Sequence, residues 1–160
     1  MHLYLAHSVI AGLGVFAGRN YEVGEWVMSF KSGKTEIVSY EQTVSNPANY
    51  VQVGINQYIY PSPPALYINH SCQPNAGIRE TTEIIALAEI AAGTEITFDY
   101  STCIAEDPWE MDCFCGAANC RKRIREFKHL PTELQLFYKA QEVVPGFCIK
   151  TEQPNMTTVW

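Results

Sequence analysis

The sequence predicts a mainly β fold that closes with one helix near its end. Three observations carry this. The chain has 160 residues, 47% apolar and 18% charged, enough to bury one core and too apolar for disorder. As far as Tyr100 it reads as short β-branched and aromatic runs divided by Gly, Pro and Asn turn signals. Helical spacing emerges only late, at Leu130, Leu134, Phe137, Tyr138 and Gln141. No internal repeat, low-complexity tract or linker interrupts the chain.

In chain order, Met1 to Ala17 is fairly apolar but lacks a basic leading region and is broken by His7 and Gly12-Leu13-Gly14. It is read as a strand and a turn rather than a signal peptide. Strands are expected at Val15–Ala17, Trp26–Phe30, Tyr50–Val53, Tyr58–Tyr60, Ile84–Ala88 and Glu95–Phe98. Val23-Gly24-Glu25, Ser32-Gly33, Asn46-Pro47, Pro61-Ser62-Pro63-Pro64 and Ala92-Gly93-Thr94 divide them. Prolines at 61, 63 and 64 exclude a central strand there, because proline cannot donate to a ladder. In the late helix Pro131 suits the first turn, Glu133 complements the positive end of the dipole, and Pro145-Gly146 is the expected stop. Thr151 to Trp160 has no pattern and reads as a loose tail.

The formal net charge of −6 repels phosphate backbones, so nucleic acid is not the expected main partner, whereas a basic peptide would be attracted. No apolar run is long enough to span a membrane. The expected location is intracellular and reducing, where six cysteines serve as thiols or metal ligands rather than disulfides.

Cys113, Cys115 and Cys120 lie close enough to reach one ion. A closed structural zinc site needs a fourth ligand, and Cys72, Cys103, Cys148 and His129 are all candidates. Tyr67-Ile68-Asn69-His70-Ser71-Cys72-Gln73-Pro74-Asn75 is a polar segment suited to ligand contact, although alone it could be an ordinary loop. Glu95-Ile96-Thr97-Phe98-Asp99-Tyr100 alternates as a half-buried strand, with a terminal tyrosine that could serve a site or simply the core. Gly12-Leu13-Gly14 permits close backbone approach to a ligand or merely turns the chain. Arg121, Lys122, Arg123 and Arg125 form a basic run best read as a solvated surface.

In their order and distances these segments resemble the SET domain and its post-SET zinc segment. Gly12 to Ala17 looks like the opening cofactor motif, Asn69 to Asn75 the asparagine–histidine signature, Glu95 to Tyr100 the catalytic strand, and Cys113 to Cys120 the C-x-C-x4-C cluster. Leu66 stands where an arginine often precedes the signature, and Lys122 where a glycine often follows the cluster. The resemblance implies the SET-domain fold, several small curved β-sheets with a pseudoknot, plus the C-terminal helix. It implies a SET domain over 1–105, a post-SET segment over 106–125, and a helix and tail over 126–160, all one structural unit.

It further implies a protein-lysine methyltransferase that uses S-adenosylmethionine and acts on a lysine-containing protein or peptide. Gly12, Leu13 and Gly14 would contact the cofactor, Asn69 and His70 would hold its methionine and adenine parts, and Phe114 would pack on the adenine. Cys72 would join Cys113, Cys115 and Cys120 on a structural zinc. Tyr100 would be the catalytic tyrosine and would also touch the cofactor. Phe98, two residues earlier, would line the lysine channel and, lacking a hydroxyl, permit di- or trimethylation. The alternative is a non-catalytic module that keeps the fold and binds peptides. A zinc-stabilised nucleic-acid binder fits the acidic charge poorly.

Overall fold

The computed structural model of the chain describes residues 2–105 and 108–150. Among them the strands are β1 (Leu3–His7), β2 (Leu13–Ala17), β3 (Trp26–Ser29), β4 (Val51–Gly54), β5 (Gln57–Ile59), β6 (Asn69–His70), β7 (Ala76–Arg79), β8 (Glu83–Ala86), β9 (Glu95–Phe98), β10 (Met111–Asp112) and β11 (Arg123–Ile124). The α-helices are α1 (Tyr40–Thr43), α2 (Thr132–Ala140) and α3 (Gly146–Lys150). The strands form four small sheets, ordered β1-β2-β9-β6, β3-β8-β7, β4-β5 and β10-β11. The mainly β expectation holds, and no described helix is long and apolar enough to cross a membrane.

The first sheet builds from a hairpin. β1 and β2 pair antiparallel from Leu3↔Ala17 to His7↔Leu13. Their turn closes because Gly12 takes the left-handed conformation (φ +47) and Ser8 Oγ accepts from the Ile10 N–H at 2.9 Å. β9 then pairs antiparallel with β2 on one side and parallel with β6 on the other, matching Asn69 to Thr97 and His70 to Phe98. That double pairing corrects the half-buried reading of β9. Ile96, Thr97, Phe98 and Asp99 are all buried, on both faces. The two-residue β6 is too short to announce itself by periodicity, and β7, β10 and β11 were likewise not anticipated.

The main core joins Val15, Ala17, Ile78, Ile84 and Ile96, all fully buried. Each of the valine and isoleucine chains contributes about 1.5–3 kcal/mol of transfer free energy. A second group gathers Ile85 with Phe127, Leu130, Tyr138 and Val143, seating the C-terminal segment on the β3-β8-β7 sheet. Gly77 makes this close packing possible, since a Cβ there would lie 2.8 Å from the Val143 side chain.

The late helix exists but is shorter than expected. α2 starts after Pro131, which is its N-cap rather than its first helical residue. It stops at Ala140, not at Pro145. Glu142 takes φ +56, its N–H bonds Lys139 O at 3.0 Å, and the Val143 N–H bonds Tyr138 O at 3.1 Å. This is a Schellman ending with glutamate in the position glycine usually fills. It turns Val143 and Val144 inward. Pro145-Gly146 then opens α3 instead of ending a helix, so two helices close the described chain. The tail expected over 151–160 lies outside the described residues.

Candidate active site and thiol cluster

The Gly12–Gly14 turn and Asn69 meet around Glu95. Asn69 Nδ2 lies 3.2 Å from Ala11 O, 3.1 Å from Leu13 O and 2.8 Å from Glu95 Oε1. Glu95 Oε2 accepts from Ser8 Oγ at 2.9 Å. Asn69 therefore ties the turn to β9. A Cβ on Gly14 would fall 2.3 Å from Glu95 Oε1, so that glycine makes room for the carboxylate. A Cβ on Gly12 meets nothing within 4 Å, and Leu13 and Phe114 are exposed by 42% and 78%. The Gly12–Leu13 turn is an open ledge with apolar surface, of the kind a ligand could cover.

His70 sits one residue on, buried in the parallel pair. Its Nδ1 accepts from the Tyr100 N–H at 3.1 Å and its Nε2 lies 3.3 Å from Cys72 Sγ. Burial, only partly offset by the Asp99 carboxylate, pushes its pKa down to about 4. A neutral ring accepting at Nδ1 carries its proton on Nε2, which then donates to the Cys72 sulfur. His70 thereby connects the tyrosine turn to the thiol cluster.

Tyr100 donates its hydroxyl to Ile68 O at 2.6 Å. Burial raises its pKa well above the ordinary phenol value. Its ring packs on Phe98 at 4.9 Å and on His70 at 5.3 Å. Tyr100 and Phe98 line a small, partly open cavity of about 60 Å³, whose wall also includes Phe30, Tyr50, Tyr58 and Trp109. Phe98 is at once a core residue, 5.5 Å from Phe30, and a cavity wall. Sequence reading missed Tyr50, Tyr58 and Trp109. Scattered over 60 residues, they become neighbours only through the fold.

The cysteines gather as well. Cys72 Sγ lies 3.8 Å from Cys113 Sγ, and the ligand atoms of His70, Cys72, Cys113 and Cys115 all lie within 4.8 Å of one another. Cys120 approaches Cys113 and Cys115 and stands 3.6 Å from Cys113 O. Backbone N–H groups point at the sulfurs: Cys72 N at Cys115, Arg121 N at Cys72 and Lys122 N at Cys120, each at 3.4 Å. Burial opposes a thiolate at Cys115, but the Cys72 and Ala117 amides and the neighbouring thiols outweigh it and bring its pKa down to about 6. Burial pushes Cys72 up to about 11 and raises Cys113 further. One thiolate forms readily and its neighbours resist, as expected of a ligand set that needs a cation to ionise fully. Of the other candidates, His129 pairs with Glu126, Cys103 donates to Tyr100 O, and Cys148 lies in the second core group.

Asp99 is the polar centre that the motif reading passed over. It is 1% exposed. Its Oδ1 accepts from the Ser101 N–H at 3.1 Å and from Arg121 Nη2 at 2.7 Å, and its Oδ2 from the Tyr138 hydroxyl at 3.0 Å. Arg121 is thus not part of a solvated basic run. Arg123 and Arg125 do lie at the surface, paired with Glu110.

A β9 strand held between the glycine turn and the asparagine–histidine strand, beside an aromatic cavity and four thiols, defines a class. A profile of the SET domain matches residues 12–101, more than half the chain, and the chain belongs to that family. It is 31% identical over 137 residues to human "Histone-lysine N-methyltransferase 2D", a match covering 76% of this chain and 2% of the relative. It is 30% identical over 139 residues to the Schizosaccharomyces pombe "Histone-lysine N-methyltransferase, H3 lysine-4 specific", covering 74% of this chain and 15% of the relative. The chain therefore spans only a small part of these relatives. Its fold is similar to that of KRYPTONITE crystallised with mCHG DNA and SAH (TM-score 0.59, 22% identity, 77% of this chain and 29% of that one). It is also similar to a humanised Chaetomium thermophilum Polycomb Repressive Complex 2 (TM-score 0.53, 22% identity, 63% and 15%).

Proposed function

We propose that the chain is a protein-lysine methyltransferase that uses S-adenosylmethionine and acts on a lysine-containing protein or peptide inside a reducing compartment. The observation that carries this is the Tyr100 hydroxyl, fixed at the wall of an aromatic cavity by Ile68 O, the carbonyl just before Asn69. Membership of the SET-domain family and the methyltransferase names of its relatives support it.

The ledge fits a cofactor: Gly12 opens on unfilled space, Asn69 holds the turn, and Phe114 offers an exposed ring. When bound, S-adenosylmethionine supplies an electrophilic methyl group. Gly12, Leu13, Gly14, Asn69 and His70 would hold it, with Phe114 packing on its adenine. The chain's own residues do the rest. Free lysine, with a pKa near 10.4, is neutral only about once in a thousand at pH 7.4, a cost of about 4 kcal/mol. The aromatic cavity disfavours the ammonium and lowers that cost. With its proton engaged by Ile68 O, the Tyr100 oxygen accepts from the amine and orients it, and alignment supplies much of the remaining acceleration.

Cys72, Cys113, Cys115 and Cys120 fit a structural zinc, four soft donors with N–H groups aimed at their sulfurs. His70, its Nε2 proton directed at Cys72, acts as a partner of that ligand rather than a fifth one. Phe98, without a hydroxyl to anchor a water, allows the methylated amine to turn and react again, giving di- or trimethyllysine.

Calorimetry separates this reading from a peptide-binding module of the same fold. The methyltransferase binds S-adenosylmethionine with a saturable heat, which Asn69→Ala weakens. A chain that binds a basic peptide and gives no heat with the cofactor is the module instead.

A further inference from the structure

The Asp99 carboxylate lies between Phe98 and Tyr100 in sequence, and its own turn and two distant parts of the chain converge on it. Ser101 N–H comes from the turn itself, Arg121 from the residue after the last cluster cysteine, and Tyr138 from α2. We propose that Tyr138 is a positioning residue of the transfer site: its hydroxyl and the Arg121 guanidinium clamp Asp99 from two sides, and Asp99 fixes the turn that presents Tyr100. The proposal rests on the methyltransferase reading.

The geometry gives each atom one task. Arg121 and the Ser101 amide occupy Oδ1, and Tyr138 alone, among the described contacts, occupies Oδ2. Asp99 Oδ1 also stands 3.6 Å from His70 Nδ1, the nitrogen that accepts from the Tyr100 N–H. A rotation of the carboxylate would therefore disturb both the amide and the ring that hold Tyr100. Tyr138 is 1% exposed, and its ring packs with Phe127, Leu130 and Val143. Phenylalanine would serve that packing equally well. The hydroxyl is needed only by the carboxylate, because a buried charged acceptor left short of a donor reorients or draws in water. Tyr138 also lies outside the segment matched by the family, residues 12–101. α2 and the thiol cluster would thus act on Tyr100 through one carboxylate.

The test is Tyr138→Phe in the zinc-loaded chain, with Leu134→Ala as a variant that loosens the same helix without touching the clamp. Tyr138→Phe is expected to unfold cooperatively and to bind S-adenosylmethionine within about twofold of the parent. Its kcat should fall about tenfold at little changed peptide KM, the scale of one lost charge-assisted hydrogen bond that misplaces a reacting group. Leu134→Ala should lower the unfolding temperature and leave kcat within about twofold. Amide exchange at Tyr100 to Thr102 should accelerate about tenfold in Tyr138→Phe and not in Leu134→Ala, with the β1–β2 amides unchanged in both. Unchanged exchange at Tyr100 to Thr102, or a kcat loss shared equally by the two variants, overturns the proposal. If the parent itself transfers no methyl group, the methyltransferase reading fails, while the exchange comparison still decides the clamp.

Discussion

The Tyr100 hydroxyl makes its one donation to Ile68 O, so what it offers a bound amine is its lone pairs. Tyr100→Phe removes them without a cavity and should lower kcat by about a hundredfold or more, the range seen when one transition-state group is lost. Cofactor affinity should stay nearly unchanged, because the ledge residues are elsewhere. Steady-state kinetics beside calorimetry reads both, and near-normal turnover would remove Tyr100 from the mechanism. At Phe98 the expected change is one of product: Phe98→Tyr should shift mass-resolved product from di- and trimethyllysine toward monomethyllysine. An unmodified chain that yields monomethyllysine alone would contradict the channel role given to that ring. Tyr100, Asn69 and His70 could be seen in the sequence because they stand in a contiguous motif. Asp99 stood in the same motif but drew no notice, since its partners Arg121 and Tyr138 lie 22 and 39 residues away.

Elements were legible wherever several residues shared one period, as in β9, and illegible where two residues sufficed, as in β6. The end of α2 shows a further cause. The signal awaited was Pro145-Gly146, yet the helix ends five residues earlier, because burying Val143 and Val144 outweighs the cost of a left-handed Glu142. A similar local cost lies in the thiol segment. Lys122 stands in the left-handed region (φ +65), and an ordinary residue there costs about 1–2 kcal/mol. Since glycine loses about 0.5–1 kcal/mol more backbone entropy on folding, Lys122→Gly should raise stability by about 0.5–1 kcal/mol in chemical denaturation. A loss of stability would show that the lysine side chain itself supports the turn. The segment as a whole should also depend on its metal. A chelator should release one zinc per chain and disorder residues 111–124, and elemental analysis showing no zinc in active protein would end the zinc assignment.

For the whole molecule, two global properties set how rate responds to conditions. The nucleophile is the neutral amine, so the chemical step should quicken as pH rises toward the lysine pKa near 10.4. Burial holds the Tyr100 pKa above the ordinary phenol value. Its neutral form therefore persists through the same range, and its ionisation should not reverse the rise. An optimum above about pH 8 is expected under single-turnover conditions, and a rate flat from pH 6 to 9 would contradict it. The net charge of −6 should draw basic substrates and weaken that attraction as salt increases. The fold class was legible at this scale because short strands and turns fill most of the chain. The meeting of α2 with the catalytic turn was not, because no local pattern records which distant hydroxyl will face a carboxylate. The most direct test of the central claim is mass spectrometry of a lysine-containing basic peptide array incubated with the zinc-loaded chain and S-adenosylmethionine. The account predicts methyl groups on lysine side chains, more than one per amine at high enzyme concentration, and none with Tyr100→Phe. A chain that binds the cofactor and the peptides yet leaves every lysine unmodified would contradict it.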